Sequence, residues 1–382
     1  MVDVDTFLTT LYVMVDDFCK TSLPLELHSG PQAALTRSEV VTLAIFGQWQ
    51  GFGSERGFYR YAHRHLRAAF PSLPTREQFN RQVRQQHEAL VACFLHLVQV
   101  LAAQQCPYEA LDSSGIPTRD AKRRGAGWLP GLANIGWSNR LGWYEGFHLL
   151  MAVNPVGVIT GFGFGPASTK DQPLAETFFA LRRHPHPGLP SVGAPAYGPY
   201  VVDKGFEGHA NQQTWWQAYG AQVLCPPKRN SRAPWPKRLR RWVAGVRQVV
   251  ETVYEKLWHT FRLDRERPHD LSGLQARLAA KLALHNFGIW FNTQLGRPSL
   301  ALADLVDWSH GLISHQAFNY AHGTFPSRFK ITPELMRVQD SGMWILNDQQ
   351  RVLSLRILGE ISRDAFRRFA RSRSTSDVLG LD

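Results

Sequence analysis

The sequence predicts an α/β protein with an all-helical region at its N-terminus. Over roughly the first 105 residues, apolar side chains recur at helical spacing. From about Pro107 onward, short strand-like runs alternate with helical segments. The chain has 382 residues, of which 44% are hydrophobic. It can therefore bury a sizeable core, and its length predicts two or three domains.

The N-terminal region contains four predicted helices. Residues 4–19 and 89–104 carry apolar side chains at helical spacing. The other two helices, over residues 36–49 and 75–86, each begin at a Thr-x-x-Glu/Gln capping box.

Arginines recur between these helices. Arg56, Arg60 and Arg64 follow one another at four-residue spacing, and Arg67 comes next. Residues at this spacing lie on one side of a helix. The row predicts either a solvated face or a DNA contact, and the sequence leaves both open.

The second part of the chain predicts the order strand–strand–strand–helix–strand–helix–strand–helix. Its predicted strands are residues 109–112, 143–153, 156–164, 200–203 and 222–225, with a turn at Asn154-Pro155. Its predicted helices are residues 171–183, 211–219 and 242–258, followed by an amphipathic helix over 274–291.

Three carboxylates stand where a metal-dependent nuclease would need them. Asp112 and Asp203 each end a predicted strand, and Glu251 lies on the amphipathic helix that follows. Taken singly, an Asp at a strand end is commonly a turn former or helix cap, and a Glu on such a helix is commonly solvated. Together, the three can converge on a pair of divalent cations, which prefer carboxylate oxygen.

The residues around these acids resemble the signature blocks of bacterial insertion-sequence DDE transposases. The three blocks are LDSSGIP at residues 111–117, VDKGF at 202–206 and RQVVETVY at 247–254. WYEGFHL at residues 143–149 resembles the second core strand of these enzymes, and FNRQV at 79–83 resembles a block that precedes the catalytic domain in one subgroup. The resemblance covers roughly residues 1–300.

The resemblance implies an RNase H-like mixed sheet flanked by helices, behind the N-terminal helical region. It implies that Asp112, Asp203 and Glu251 are catalytic and hold two Mg²⁺ ions, for which Mn²⁺ can substitute. Such an enzyme cuts transposon ends and joins the freed 3′-hydroxyl to target DNA. Its partners would be terminal inverted repeats and target DNA, bound by a homodimer or larger oligomer. Two alternatives stay open: a nuclease that cuts without joining, and a catalytically silent DNA-binding protein.

An excess of basic residues points to a polyanionic partner. The formal net charge is +12. Residues 208–250 contain eight Lys or Arg and no acidic residue. The prolines at 226, 227, 234 and 236 predict an irregular loop between the strand at 222–225 and the helix at 242–258. The alternative is a solvated charged surface. The candidate DNA contacts are Lys204, Lys228, Arg229, Arg232, Lys237, Arg238, Arg240, Arg241, Arg247, Arg123 and Arg124.

Several other polar and aromatic residues carry weaker signals. A second basic segment follows Asp112 and consists of Arg119, Lys122, Arg123, Arg124 and Arg140. Trp137 and Trp143 lie near it, which predicts either stacking on unpaired bases or core packing. We interpret Asp120, Asp171 and Glu255 as structural acids. The four cysteines are scattered without a Cys-x-x-Cys pair and predict buried free thiols.

We predict three regions. Residues 1–105 form a helical region for DNA binding or dimerisation, 106–296 the catalytic domain, and 297–382 a C-terminal extension. In the extension, residues 343–346 and 352–358 predict strands, and the segment either contacts DNA or is dispensable for the chemistry. The chain opens without a signal-like segment and has no apolar stretch long enough for a bilayer, so we expect a cytoplasmic protein without a membrane partner.

Overall fold

The computed structural model describes residues 1–25, 33–122, 127–185, 198–227, 234–264 and 266–308. The α-helices in these residues are α1 (Val4–Ser22), α2 (Arg37–Phe46), α3 (Glu55–His65), α4 (Arg76–Gln85), α5 (His87–Val100), α6 (Asp171–Arg183), α7 (His209–Tyr219), α8 (Lys237–His259) and α9 (Leu271–Gln294). The strands are β1 (Val2–Asp3), β2 (Glu109–Asp120), β3 (Asn134–Ser138), β4 (Gly142–Val153), β5 (Ile159–Pro166), β6 (Tyr200–Val201), β7 (Val223–Leu224) and β8 (Val306–Asp307). None of these helices is long and apolar enough to cross a membrane.

Six of the described strands form a mixed sheet. Its order is β3-β4-β2-β6-β7, and β5 also pairs with β4. β2 runs antiparallel to β4 and parallel to β6, which in turn runs parallel to β7. β3 and β5 pair with successive parts of β4. This sheet, flanked by helices behind a helical region, confirms the predicted RNase H-like architecture.

Several strand boundaries differ from the prediction. β6 ends at Val201 and not at Asp203, and β7 spans Val223–Leu224 and not residues 222–225. β2 does not end at Asp112 but continues to Asp120, because β4 remains its antiparallel partner along that length. β3 was not predicted, since Gly136 is its only buried residue and its sequence lacks apolar alternation. β5 begins three residues later than predicted, because the side chain of Asn154 accepts hydrogen bonds from the backbone of Val156 and Val158 and widens the turn.

Helix α9 is buried on nearly all sides and bonds to the first residue of β5 and to the turn before it. The Asn286 side chain accepts a hydrogen bond from Ile159 N (3.0 Å) and donates one to Ile159 O (2.9 Å). His285 Nε2 lies 2.9 Å from Gly157 O, and burial lowers the pKa of His285 to about 4. The neutral imidazole therefore donates its Nε2–H to that carbonyl. These side chains satisfy backbone groups that the sheet itself leaves unpaired.

The N-terminal helices pack directly against the α/β part. Both predicted capping boxes are present, at the starts of α2 and α4. One hydrophobic core includes residues of α1, α2 and α9 and of the central strands. The buried Lys281 ammonium on α9 lies 2.7 Å from Gln48 Oε1 and 2.5 Å from Glu266 Oε1. β8 pairs with β1, so the chain up to residue 308 also returns to the helical region. The proposed domain boundaries stay predictions.

A buried ion pair ties α6 to the sheet. Arg182 Nη1 donates to Glu109 Oε2 at 2.6 Å and to the Tyr200 hydroxyl at 3.0 Å. The Thr160 hydroxyl donates to the other carboxylate oxygen of Glu109. The Arg182 and Glu109 side chains are 1% and 0% exposed. Removal of either would leave the other charge buried without its partner.

We expect Arg182→Met to lower the free energy of unfolding by about 3–5 kcal/mol, because Glu109 would remain as an uncompensated buried charge. Urea denaturation of the two proteins measures the difference. The matched control is Arg183→Met at the exposed neighbouring position, which should change stability by no more than about 0.5 kcal/mol. Equal effects of the two substitutions would contradict the prediction.

Candidate active site

The pairing of β2 with β6 brings two of the three predicted acids side by side. The last parallel pair is Ala110 with Val201, and each acid comes two residues later in its strand direction. Asp112 therefore lies inside β2, at the point where the parallel neighbour ends. Asp203 follows the end of β6 and caps a short 3₁₀ turn, where its Oδ1 accepts from Gly205 N at 2.6 Å.

The third acid, Glu251, lies on helix α8, which packs against β2. The Tyr254 hydroxyl lies 3.0 Å from the Asp112 carbonyl oxygen and 2.9 Å from the Leu149 carbonyl oxygen. Burial raises the pKa of Tyr254 well above its ordinary value, so the hydroxyl keeps its hydrogen. This contact fixes the rotation of α8. Glu251 lies about one turn before Tyr254 on that helix.

Arg247 lies between the first and third acids. Its Nη2 is 3.7 Å from Asp112 Oδ2 and 3.4 Å from Glu251 Oε1. The Asp112 side chain is 17% exposed and the Glu251 side chain 56%. Arg247 Nε is buried and finds no hydrogen-bond partner in the described parts of the chain. The guanidinium thus neutralises the two carboxylates without completing its own hydrogen bonds.

A fourth acid, Asp171, lies at the same place, although its sequence context suggested a structural role. It is the first residue of α6, and its Oδ1 accepts from the Ser113 hydroxyl at 2.5 Å. The same oxygen lies 3.7 Å from His148 Nε2. The other ring nitrogen of His148 lies 2.8 Å from the Thr169 carbonyl oxygen. The hydrogen bond from Ser113, the residue after Asp112, therefore connects β2 to the first residue of α6.

Asp171 also faces Asp203. A Cβ atom added at Gly205 would lie 2.6 Å from Asp171 Oδ2 and 2.9 Å from Asp203 Oδ1. A side chain at residue 205 would thus have to push between the two carboxylates. No spacing in the sequence relates residue 171 to the other acids. The only local signals were the serine after Asp112 and the glycine near Asp203.

The donor set has the chemistry that a divalent cation needs. Burial, together with the charges of Asp203 and Asp171, raises the pKa of Asp112 to about 7, against the opposing effect of Arg247. A carboxylate among like charges is stabilised by a cation beside it. As the side chains stand, however, no three His, Cys, Asp or Glu in the described residues are close enough to hold a metal. The carboxylate oxygens are suitable ligands for a divalent cation. The side chains would have to rearrange before three of them could reach one ion.

Four predicted DNA contacts lie in the first turns of α8, which corrects the expected irregular loop. They are Lys237, Arg238, Arg240 and Arg241, all exposed. The helix begins directly after Pro236, where a proline is compatible with a helix start. No acidic residue lies in the first turn. Cations there face the unfavourable end of the helix dipole, so helix stability does not explain them.

The other predicted contacts divide into described and undescribed positions. Lys204 is exposed in the turn after Asp203. Trp137 and Trp143 are opposite each other on β3 and β4 and are 56% and 67% exposed. Arg123, Arg124, Lys228, Arg229 and Arg232 lie outside the described residues, as do the strands predicted at residues 343–346 and 352–358.

The comparison with known families identifies this part of the chain. Residues 110–287 match the family model of the transposase DDE domain. The matched span contains Asp112, Asp203 and Glu251 and runs from β2 into α9. No curated protein and no solved structure matches the chain. The family match confirms the resemblance to insertion-sequence DDE transposases.

The hydrogen bond between Ser113 and Asp171 should give a measurable coupling. We expect Ser113→Ala and Asp171→Ala together to destabilise the protein less than the sum of the single effects, by about 0.5–3 kcal/mol, because both remove one bond to a charged group. Urea denaturation of the unsubstituted protein, the two single variants and the double variant measures this coupling. A second cycle with Ser113→Ala and Asp120→Ala, an exposed acid on the same strand, should be additive. Additivity in the first cycle would mean that this bond does not hold α6 to β2.

Proposed function

We propose that this chain, which carries a domain of the transposase DDE family, cuts the ends of transposon DNA and joins the freed 3′-hydroxyl to target DNA. The observation that carries the proposal is the register of β2 with β6, which sets Asp112 beside Asp203 beneath the helix of Glu251. These three acids are the proposed catalytic residues. Two or more copies would act together on the two transposon ends.

The same three residues are those that would hold two divalent cations, Mg²⁺ or in its place Mn²⁺. DDE transposases generally use divalent metals. When bound, such a pair stabilises the attacking and leaving oxygens of an in-line phosphoryl displacement. The carboxylate donors and the raised pKa of Asp112 support this assignment.

The protein's own part is to hold the DNA backbone in line with the acids. Arg240 and Arg247 are seven residues apart, which is about two turns, so they share one face of α8 with Glu251. Ala244 between them is small and exposed, so a phosphate can approach the helix closely. The cations of this face would neutralise phosphates along the path to the acids.

Two displacements at phosphorus complete the proposed reaction. In the first, water attacks the phosphodiester at the transposon end, and the 3′-oxygen leaves as a hydroxyl. In the second, that hydroxyl attacks a phosphodiester of the target, and the target's 3′-oxygen leaves. Both are exchanges of one phosphoester oxygen for another, so one site that holds an in-line phosphate can serve both.

A catalytically silent DNA-binding protein is the second candidate, and the position of Arg247 between Asp112 and Glu251 favours it. The deciding experiment incubates the full chain, with Mg²⁺ or Mn²⁺, with DNA that carries the inverted repeats flanking its gene. Cleavage followed by joining of a pre-cut 3′ end to plasmid supports the transposase. Cleavage without joining indicates a nuclease, and binding without cleavage indicates the silent protein.

Conservative substitution of the acids should abolish cleavage. We expect Asp112→Asn, Asp203→Asn and Glu251→Gln each to lower the cleavage rate more than about a hundredfold, because each removes a metal ligand at nearly constant volume. DNA binding, followed by gel shift, should persist. The matched control is Asp120→Asn on β2, which should cut normally. An Asp203→Asn protein that cuts at the unsubstituted rate would disprove the assignment.

Removal of the cations at the start of α8 should weaken DNA binding through its salt dependence. With Lys237, Arg238, Arg240 and Arg241 all changed to Ala, the slope of log affinity against log salt should flatten by about 0.9 for each lost phosphate contact. Titrations at several salt concentrations measure this. Lys20→Ala, at an exposed cation of α1 that pairs with Asp16, should leave the slope unchanged. An unchanged slope in the fourfold variant would make the cluster a solvated surface.

A further inference from the structure

We propose that Arg247 is an internal counter-ion of the carboxylate site, which a DNA phosphate draws away so that Asp112 and Glu251 can share a cation. This inference rests on the proposed function and adds a coupling to it. DNA binding would open the cation site, and the cation would in turn strengthen DNA binding.

The first support is that one nitrogen serves both acids. Arg247 Nη2 lies 3.7 Å from Asp112 and 3.4 Å from Glu251, beyond the length of a strong charge-assisted hydrogen bond. The guanidinium therefore stabilises the two carboxylates by its positive charge, from a position between them. A cation that bound both oxygens would have to occupy the same place, so the two cannot be accommodated together.

The second support is that Arg247 is held weakly in this position. Its Nε is buried without a hydrogen-bond partner in the described residues. Its pair with Glu251 has the basic residue four positions before the acidic one, which is the weaker of the two orientations on a helix. Glu251 is more than half exposed, so water screens that pair. An incoming anion therefore competes with modest interactions.

The third support is the chemistry of the competing anion. A phosphate offers the planar guanidinium two parallel hydrogen bonds, which the present contacts do not provide. Arg240 lies on the same face of α8, two turns toward its N-terminus, and would bring the DNA backbone toward Arg247. The phosphate would gain a bidentate donor, and the two acids would lose their counter-ion in the same event.

If DNA strengthens cation binding, the cation must strengthen DNA binding by the same factor. The inference can therefore be tested by measuring cation affinity. The experiment measures Mn²⁺ affinity of the full chain without DNA by calorimetry. We expect Arg247→Gln to bind Mn²⁺ about three- to tenfold more tightly than the unsubstituted protein, because the competing charge is gone. Adding Glu251→Gln to that variant should remove the gain, which locates the bound ion.

The matched control is Lys256→Gln, which removes one positive charge from α8 about one turn beyond Glu251. Its Mn²⁺ affinity should equal that of the unsubstituted protein. A second measurement needs no substitution: a short DNA duplex of arbitrary sequence, added at low ionic strength, should tighten Mn²⁺ binding to the unsubstituted chain. This arm decides the matter if Arg247→Gln fails to fold.

The outcomes separate this inference from the proposed function. Unchanged or weaker Mn²⁺ binding by folded Arg247→Gln overturns the inference, and so does the absence of binding by both proteins without DNA. If Mn²⁺ binding is unchanged but the protein cuts and joins DNA, the function stands and the coupling fails. If Arg247→Gln binds Mn²⁺ more tightly while the protein neither binds nor cuts DNA, the counter-ion role stands and the proposed function fails.

Discussion

The geometry of the carboxylate site depends on two parallel backbone pairs between β2 and β6. A slip of one residue would turn every side chain of a strand to the other face of the sheet and separate Asp112 from Asp203. Strands of two residues cannot hold their register alone. The buried charges supply the missing constraint, because Glu109 is paired with Tyr200 across these strands and Arg182 bonds to both side chains.

Helix α6 connects that constraint to the site itself. Arg182 near its C-terminus closes the buried network, and Asp171 at its N-terminus bonds to Ser113 and faces Asp203. The helix is thus fastened at both ends to the strands that carry the acids. The buried bond of Arg182 to Glu109 at the C-terminal end of α6 therefore helps to position the Asp171 carboxylate at its N-terminal end.

The sequence was most informative where local chemistry decides structure. The capping boxes of α2 and α4 and the bounds of α6 follow from short-range patterns, and the structure has all of them. Tertiary contacts decided the rest. β3 exists because β4 offers it an edge, and α8 starts among residues whose prolines suggested a loop. Asp171 joins the acids only through the packing of α6, which no spacing encodes. The roles of Asp112, Asp203 and Glu251 remain predictions.

In the proposed function, helix α8 combines two electrostatic tasks that oppose each other. A phosphodiester would have to approach acids that repel it, and nearby cations would offset that repulsion. The helix therefore carries its cations ahead of its acid, with exposed Lys and Arg in the first turns and Glu251 near its middle. Placed at the dipole's positive end, these cations weaken the helix slightly. Tyr254, anchored to β2 and β4, and the apolar face of α8 hold the helix against that cost. Burial against the sheet thus allows α8 to carry a charge pattern that an isolated helix would disfavour.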